Sequence, residues 1–118
     1  MEKFSAEFFQ KQDGTKPAKE FLLSQNTKMQ AKLFGLIDIL EEKGNQLREP
    51  YSKPLEDGIF ELRGRVGTDT ARVLYFFYYE GRIILTNGFV KKTNKTPRNQ
   101  IELAKQYKKE FLESEGKQ

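Results

Sequence analysis

The sequence predicts an α+β domain, in the order β-α-α-β-β-β-α, with helices packed against a mostly antiparallel sheet. Three observations carry this. Residues 59–90 hold three runs rich in β-branched and aromatic residues, separated by short Gly-containing turns. Residues 15–44 and 96–111 repeat apolar side chains at helical spacing. A length of 118 residues suits one domain, residues 1–118, around one core.

Each element has a local reason. The aromatic, weakly charged residues 3–9 read as a first strand, ended by the turn signal Asp13-Gly14. Thr15 reads as the N-cap of a short helix that tolerates Pro17 in its first turn and faces Ala18, Phe21 and Leu22 inward. A second helix starts at Asn26-Thr27, where Thr27 and Gln30 match a capping box. Its apolar face is Met29, Leu33, Leu36, Ile37 and Leu40, and Gly44 fits its C-terminal cap. Residues 45–58, with Pro50, Pro54 and Asp57-Gly58, read as an irregular link. Strands are expected over 59–66, 71–79 and 82–90, joined by a loop at 67–70 and a two-residue turn at Glu80-Gly81. Thr96-Pro97 then reads as an N-cap followed by Pro at the first position of a closing helix, with Ala104, Tyr107 and Phe111 on its apolar face.

Composition narrows the chemistry. The chain has no Cys and no His, which excludes disulfides, thiolate zinc sites, a Cys nucleophile and a two-His ribonuclease mechanism. No metal or other cofactor is expected, because there are no His or Cys ligands and no carboxylate cluster is read besides the ordinary helix-surface pair Glu41-Glu42. With no signal-peptide pattern and no long apolar run, the expected location is cytoplasmic, with no membrane partner. Net charge is +4, and the surplus lies in residues 59–98, where eight basic side chains face three acidic ones. A local basic excess attracts phosphate or acidic partners; a solvated sheet surface is the plain alternative.

Strand periodicity says where these cations point. Glu61, Arg63 and Arg65 share one face, because side chains alternate with period two. The loop at 67–70 places Arg72 across from Arg63 or Arg65, and the turn at Glu80-Gly81 places Arg72 opposite Phe89, with Lys91 on the same face. Arg63, Arg65, Arg72 and Lys91 therefore converge at one end of the sheet. Leu74, Phe76, Ile83 and Leu85 are expected to continue that face under a helix. The reverse face is read as core: Phe60, Leu62, Val66, Val73, Tyr75, Phe77, Ile84 and Val90. Like charges directly opposite on a sheet repel, so a bound anion or pairing with Glu61 is needed. The purely structural reading is that Arg63 or Arg72 pairs with Glu61 or a helix carboxylate.

Lys53-Pro54-Leu55, Asp57-Gly58-Ile59-Phe60-Glu61-Leu62-Arg63, Arg72-Val73-Leu74 and Gly88-Phe89-Val90-Lys91-Lys92-Thr93, continuing to Lys95-Thr96-Pro97, form an ordered set over residues 53–97. In that set the sequence resembles the RelE/HigB superfamily of bacterial toxins, closest to its phage-derived HigB-like branch. The resemblance implies a RelE-like fold and the toxin of a type II toxin–antitoxin module, a metal-independent endoribonuclease that cleaves mRNA on the translating ribosome. It implies a helix-turn-helix (HigA-like) antitoxin as partner, beside the ribosome and mRNA. The basic positions it singles out are Lys53, Arg63, Arg72 and Lys91, with Lys92 and Lys95.

Metal-free RNA cleavage uses the neighbouring 2′-OH as nucleophile. The protein must position it, stabilise the added negative charge and move protons. Arg63 and Arg72 suit the charge, since guanidinium forks match phosphate oxygens. Lys91 or Lys53, beside other cations, can have a lowered pKa and exchange protons. Arg65, Lys92, Lys95 and Arg98 are candidates for binding the RNA backbone. Glu61 and Tyr107 are the candidates for proton transfer, with orientation of Arg63 and core packing as their respective alternatives. The missing His motivates a second reading, a non-catalytic nucleic-acid or partner-binding module on the same fold; a toxin-fold inhibitor of another target, such as gyrase, is a third.

Overall fold

A computed structural model of the chain describes residues 3–92 and 94–116. Thr93, part of the motif quoted above, lies outside the described residues. The elements are β1 (Ser5–Phe8), α1 (Pro17–Ser24), α2 (Thr27–Lys43), β2 (Ser52–Pro54), β3 (Phe60–Val66), β4 (Asp69–Tyr78), β5 (Arg82–Val90) and α3 (Arg98–Gly116). They form an α+β domain. Its five-stranded sheet has the order β1-β5-β4-β3-β2, with β1 parallel to β5 and every other pair antiparallel. Among the described residues no helix is long and apolar enough to cross a membrane.

The sheet is covered on both faces. On one, α1 and α2 bury Leu22, Leu33 and Leu40 against Leu62, Val73, Tyr75, Ile83 and Leu85. On the other, α3 brings Ala104 and Phe111 onto Leu74, Phe76, Ile84 and Phe89, with Phe9 and Ile59. Coverage of both faces explains why the central strands read as near-continuous apolar runs.

The expected pairing of strand faces needs one correction. Ile83 and Leu85 lie under α1 and α2, and Ile84 lies under α3, opposite to the sequence reading. The cause is a β-bulge: Leu74 pairs with Asn87 but Tyr75 with Leu85, which leaves Thr86 unpaired. The Thr86 hydroxyl donates to the Leu74 carbonyl at 3.1 Å and contacts Asn87 Oδ1 at 2.7 Å, which fixes the extra residue. The β4–β5 turn is also longer than expected, since Tyr78 pairs with Arg82 and leaves Tyr79–Gly81 as the connection.

Several boundaries differ for local reasons. Lys16, not Thr15, is the N-cap of α1; Thr15 instead gives its amide (2.9 Å) and hydroxyl (2.7 Å) to Asp13 Oδ1. Asn26 caps α2 by accepting the Met29 amide at 2.9 Å, so Thr27 is the first helical residue and forms no capping box. Gly44 ends α2 with φ of 57°, as expected. The link contains an unforeseen strand, β2, which pairs Ser52 with Leu62, Lys53 with Glu61 and Pro54 with Phe60. Thr96 does not cap α3 with its side chain: the Pro97 carbonyl receives the Gln100 (3.1 Å) and Ile101 (3.3 Å) amides, and the Thr96 hydroxyl goes to Glu61.

One glycine is required by geometry. Gly81 has φ of +72°, and a Cβ there would press into the Lys3 backbone carbonyl, where the chain enters β1. Gly35, on the exposed face of α2, has open space around it. Gly81→Ala is therefore expected to lower stability by about 1–3 kcal/mol through strain and overpacking. Gly35→Ala is expected to raise it by roughly 0.5–1 kcal/mol through helix propensity. Urea unfolding of the two variants beside the parent checks the opposite signs.

Candidate nucleic-acid site

The site is built on the α3 face of the sheet, at the end where the cover of α3 runs out. Three cross-strand rows follow one another there. Lys53, Glu61, Leu74 and Asn87 form the first; Arg63, Arg72 and Phe89 form the second. Arg65 and Thr70 form the third, closed by the Lys91 amide, which donates to the Thr70 carbonyl at 3.0 Å. Arg72 stands opposite both Arg63 and Phe89 in register.

Glu61 holds this arrangement from below. Its side chain is 1% exposed, and Oε1 faces Arg72 Nε at 3.3 Å and Arg63 Nε at 3.6 Å. Its second oxygen accepts the Thr96 hydroxyl. Arg72 is buried and also donates to the Ala71 carbonyl at 3.1 Å, while Arg63 keeps 27% of its side chain exposed. Arg72 Nε and Glu61 Oε1 face each other without the alignment of a full hydrogen bond. Desolvation pushes the Arg72 guanidinium below its ordinary pKa, and Glu61 and Arg63 pull it in opposite directions. One carboxylate thus serves a cluster of cations incompletely.

Lys91 belongs to the same cluster. Burial lowers its pKa first; Arg72, Arg63 and Lys53 lower it further, and Glu61 opposes them. Lys53 is exposed and directly opposite Glu61. Beside them runs a groove of about 470 Å³ between β2, the segment after β5 and the start of α3. Lys53, Lys91, Lys95 and Arg98 lie along it, and Pro54, Leu55 and Ile101 give it apolar walls.

The remaining candidates are placed differently. Arg65 is exposed and turns its Nε to the Gly67 carbonyl at 2.9 Å. Lys92 is exposed beyond the end of β5. Arg98 is tied to Glu56 and Glu102. Lys105 adds contacts of 3.0 Å to both Glu56 and Asp57, so the turn after β2 is clamped to α3. The Tyr107 ring stacks on Phe9 at 4.9 Å, about 9 Å further along the helix axis than Ile101. Among the described residues no three carboxylates gather into a cation site.

Sequence reasoning missed two contributors. Thr96 carries a helix-cap signal that concealed its bond to Glu61. The Glu56–Arg98–Lys105 clamp joins residues more than 40 apart and has no local signal.

No curated protein matches this chain. The family profile described as "Phage derived protein Gp49-like (DUF891)" matches residues 20–109, from α1 through most of α3. The match takes in β3, β4, β5 and every cation of the cluster, and the chain belongs to this phage-derived Gp49-like family.

Proposed function

We propose that this protein is the toxin of a type II toxin–antitoxin module, of the HigB-like kind, and that it cleaves mRNA on the translating ribosome without a metal. Membership of the Gp49-like family supports the coarser class, a phage-derived toxin-like protein. The observation that carries the finer reading is the convergence of Arg63, Arg72, Lys91 and Lys53 around one buried carboxylate, beside an open groove. Such a cluster is completed by an anion, and the RNA phosphate is the anion whose chemistry it can assist.

In the proposed reaction the 2′-OH gives its proton to solvent water as the 2′-oxygen attacks phosphorus, the P–O5′ bond breaks, and a 2′,3′-cyclic phosphate and, once O5′ is protonated, a 5′-OH result. Arg63, partly exposed beside Glu61, contacts the phosphate oxygens, and Arg72 supports it from the buried side. Lys91 donates a proton to the departing 5′-oxygen, a role helped by its lowered pKa. Lys53 stands at the groove mouth to hold the RNA, and Glu61 orients the two arginines rather than acting as the base. Tyr107 serves packing. A helix-turn-helix antitoxin and the translating ribosome are the proposed partners, and the cytoplasm the proposed location.

Primer extension on mRNA from translating extracts tests this reading. Cleavage is expected from the parent, with a loss of about 10²-fold or more for Arg63→Ala and for Arg72→Lys. Circular dichroism separates lost chemistry from lost fold. Intact cleavage in both variants would remove the site assignment, and no cleavage by the parent would leave a binding module.

Lys91 gives a second test with opposite signs for stability and function. Folding lowers its pKa from the ordinary 10.5, so the unfolded chain binds the proton more tightly. The resulting penalty is fully present below the folded pKa and fades as pH rises toward 10.5, so this term makes stability rise with pH in that window. Lys91→Met is expected to unfold at higher urea at pH 7, by on the order of 0.5 kcal/mol. It should also flatten the alkaline rise and cleave mRNA poorly. A variant that is less stable and equally active would contradict both halves.

A further inference from the structure

The groove beside the cation cluster has a composition that phosphate binding alone does not explain. A pure phosphate site needs donors, yet Ile101, 8% exposed, half-buried Leu55 and Pro54 also line this groove. These apolar side chains border a space of about 470 Å³, within the range of small-molecule sites. Lys53 and Lys91 stand along it, and Lys91 also feels the charges of Arg63 and Arg72. The groove therefore runs on from the phosphate cluster instead of forming a separate cavity.

We propose that this groove is a nucleobase subsite, taking the base of the nucleotide next to the phosphate held by Arg63, Arg72 and Lys91. This rests on the RNA reading of the cluster and adds the class of group that the groove receives. A splayed base of single-stranded RNA offers two flat apolar faces and a polar edge. Pro54, Leu55 and Ile101 offer apolar surface to such a face, as apolar side chains do around an unstacked base. Asn94, which lines the groove and is exposed, brings both a donor and an acceptor to the base edge. The charged groups nearby are less suited to reading it. Arg98 is tied to Glu56 and Glu102, and the Thr96 hydroxyl is committed to Glu61. The Arg98–Glu56 and Lys105–Glu56 ion pairs tie Glu56, next to Leu55, to α3, so this border of the groove is fixed before RNA arrives.

The experiment uses the full chain and a six-nucleotide RNA with 2′-O-methyl groups, which cannot be cleaved. A matched probe of equal length and charge is abasic at one position, scanned along the strand. At one position, loss of the base is expected to weaken binding about tenfold, the scale of one base–side-chain stack. A 2-aminopurine at that position should change its fluorescence on binding. Ile101→Ala and Asn94→Ala should each shrink the base-dependent difference while the abasic probe binds as before. Because cleavage is not read, an inactive enzyme does not bear on the result. Equal binding of base-bearing and abasic probes at every position would overturn the subsite and leave the phosphate cluster standing. Binding of neither probe would overturn both.

Discussion

The structure around the site depends on one buried carboxylate. Strand register places Arg63 directly across from Arg72, a pairing of like charges that sheets disfavour. Glu61, one row along the same face, is what lets the two guanidinium groups remain there. It does so imperfectly, because one oxygen faces both arginines and the other is held by Thr96. Removing either partner of such a buried arrangement is far more damaging than the net stabilisation of the pair would suggest, since the remaining charge stays desolvated. The protein therefore keeps a local excess of positive charge at a half-buried position, which is unfavourable for the free fold and favourable for an anion arriving from outside.

That excess stays accessible because of how the sheet is covered. The apolar face of α3 starts at Ile101 and continues through Ala104 to Phe111, over Leu74, Phe76 and Ile84. In the rows that hold Arg63, Arg72 and Arg65, that apolar cluster takes in Phe89 at the β5 end and not the arginines. The bulge at Thr86 takes part in this division. It rotates the first half of β5, so that Ile84 meets α3 while Ile83 and Leu85 meet α1 and α2. Beyond the bulge, Asn87 and Phe89 return to the α3 face, where Asn87 donates to the Gln100 side chain at 3.0 Å. One inserted residue thus lets the same strand serve the apolar core at one end and frame the cation cluster at the other.

How much of this was legible follows from which signals are local. The shared face of Glu61, Arg63 and Arg65 needs only period-two alternation within one strand, and it could be read directly. The Arg72–Phe89 pairing follows from a two-residue turn and an unbroken ladder. The real chain has a three-residue connection and a bulge, and the two offsets cancel at Arg72, where the ladder has passed both. Between the connection and the bulge they do not cancel, which is why alternation alone puts Ile83, Ile84 and Leu85 on the wrong faces. β2 was illegible because three residues ending in Pro54 carry no strand pattern of their own; the open edge of β3 makes them a strand. Thr96 misled because a Thr before Pro is a sound cap signal, and only the folded chain shows a buried carboxylate within reach of it.

The missing histidine has a consequence for the proposed reaction. Fixed cations stabilise charge that develops on phosphorus, and a lysine of lowered pKa can release a proton, but neither withdraws one from a 2′-OH near neutral pH. Glu61 is poorly placed to act as that base, because it lies beneath both arginines, with one oxygen facing their Nε atoms and the other accepting from Thr96. The sheet is then strong in electrostatics and weak in acid–base chemistry. Much of the barrier must be lowered by holding the 2′-oxygen, phosphorus and 5′-oxygen in line, and positioning alone can reach several kcal/mol when it is imposed by a rigid frame. A shallow face with one groove constrains a single nucleotide, not the path of the strand on both sides of it. An mRNA already held in a fixed bend by the translating ribosome would bring that geometry to the cluster, so the proposed ribosome dependence fits what this chain lacks as much as what it carries.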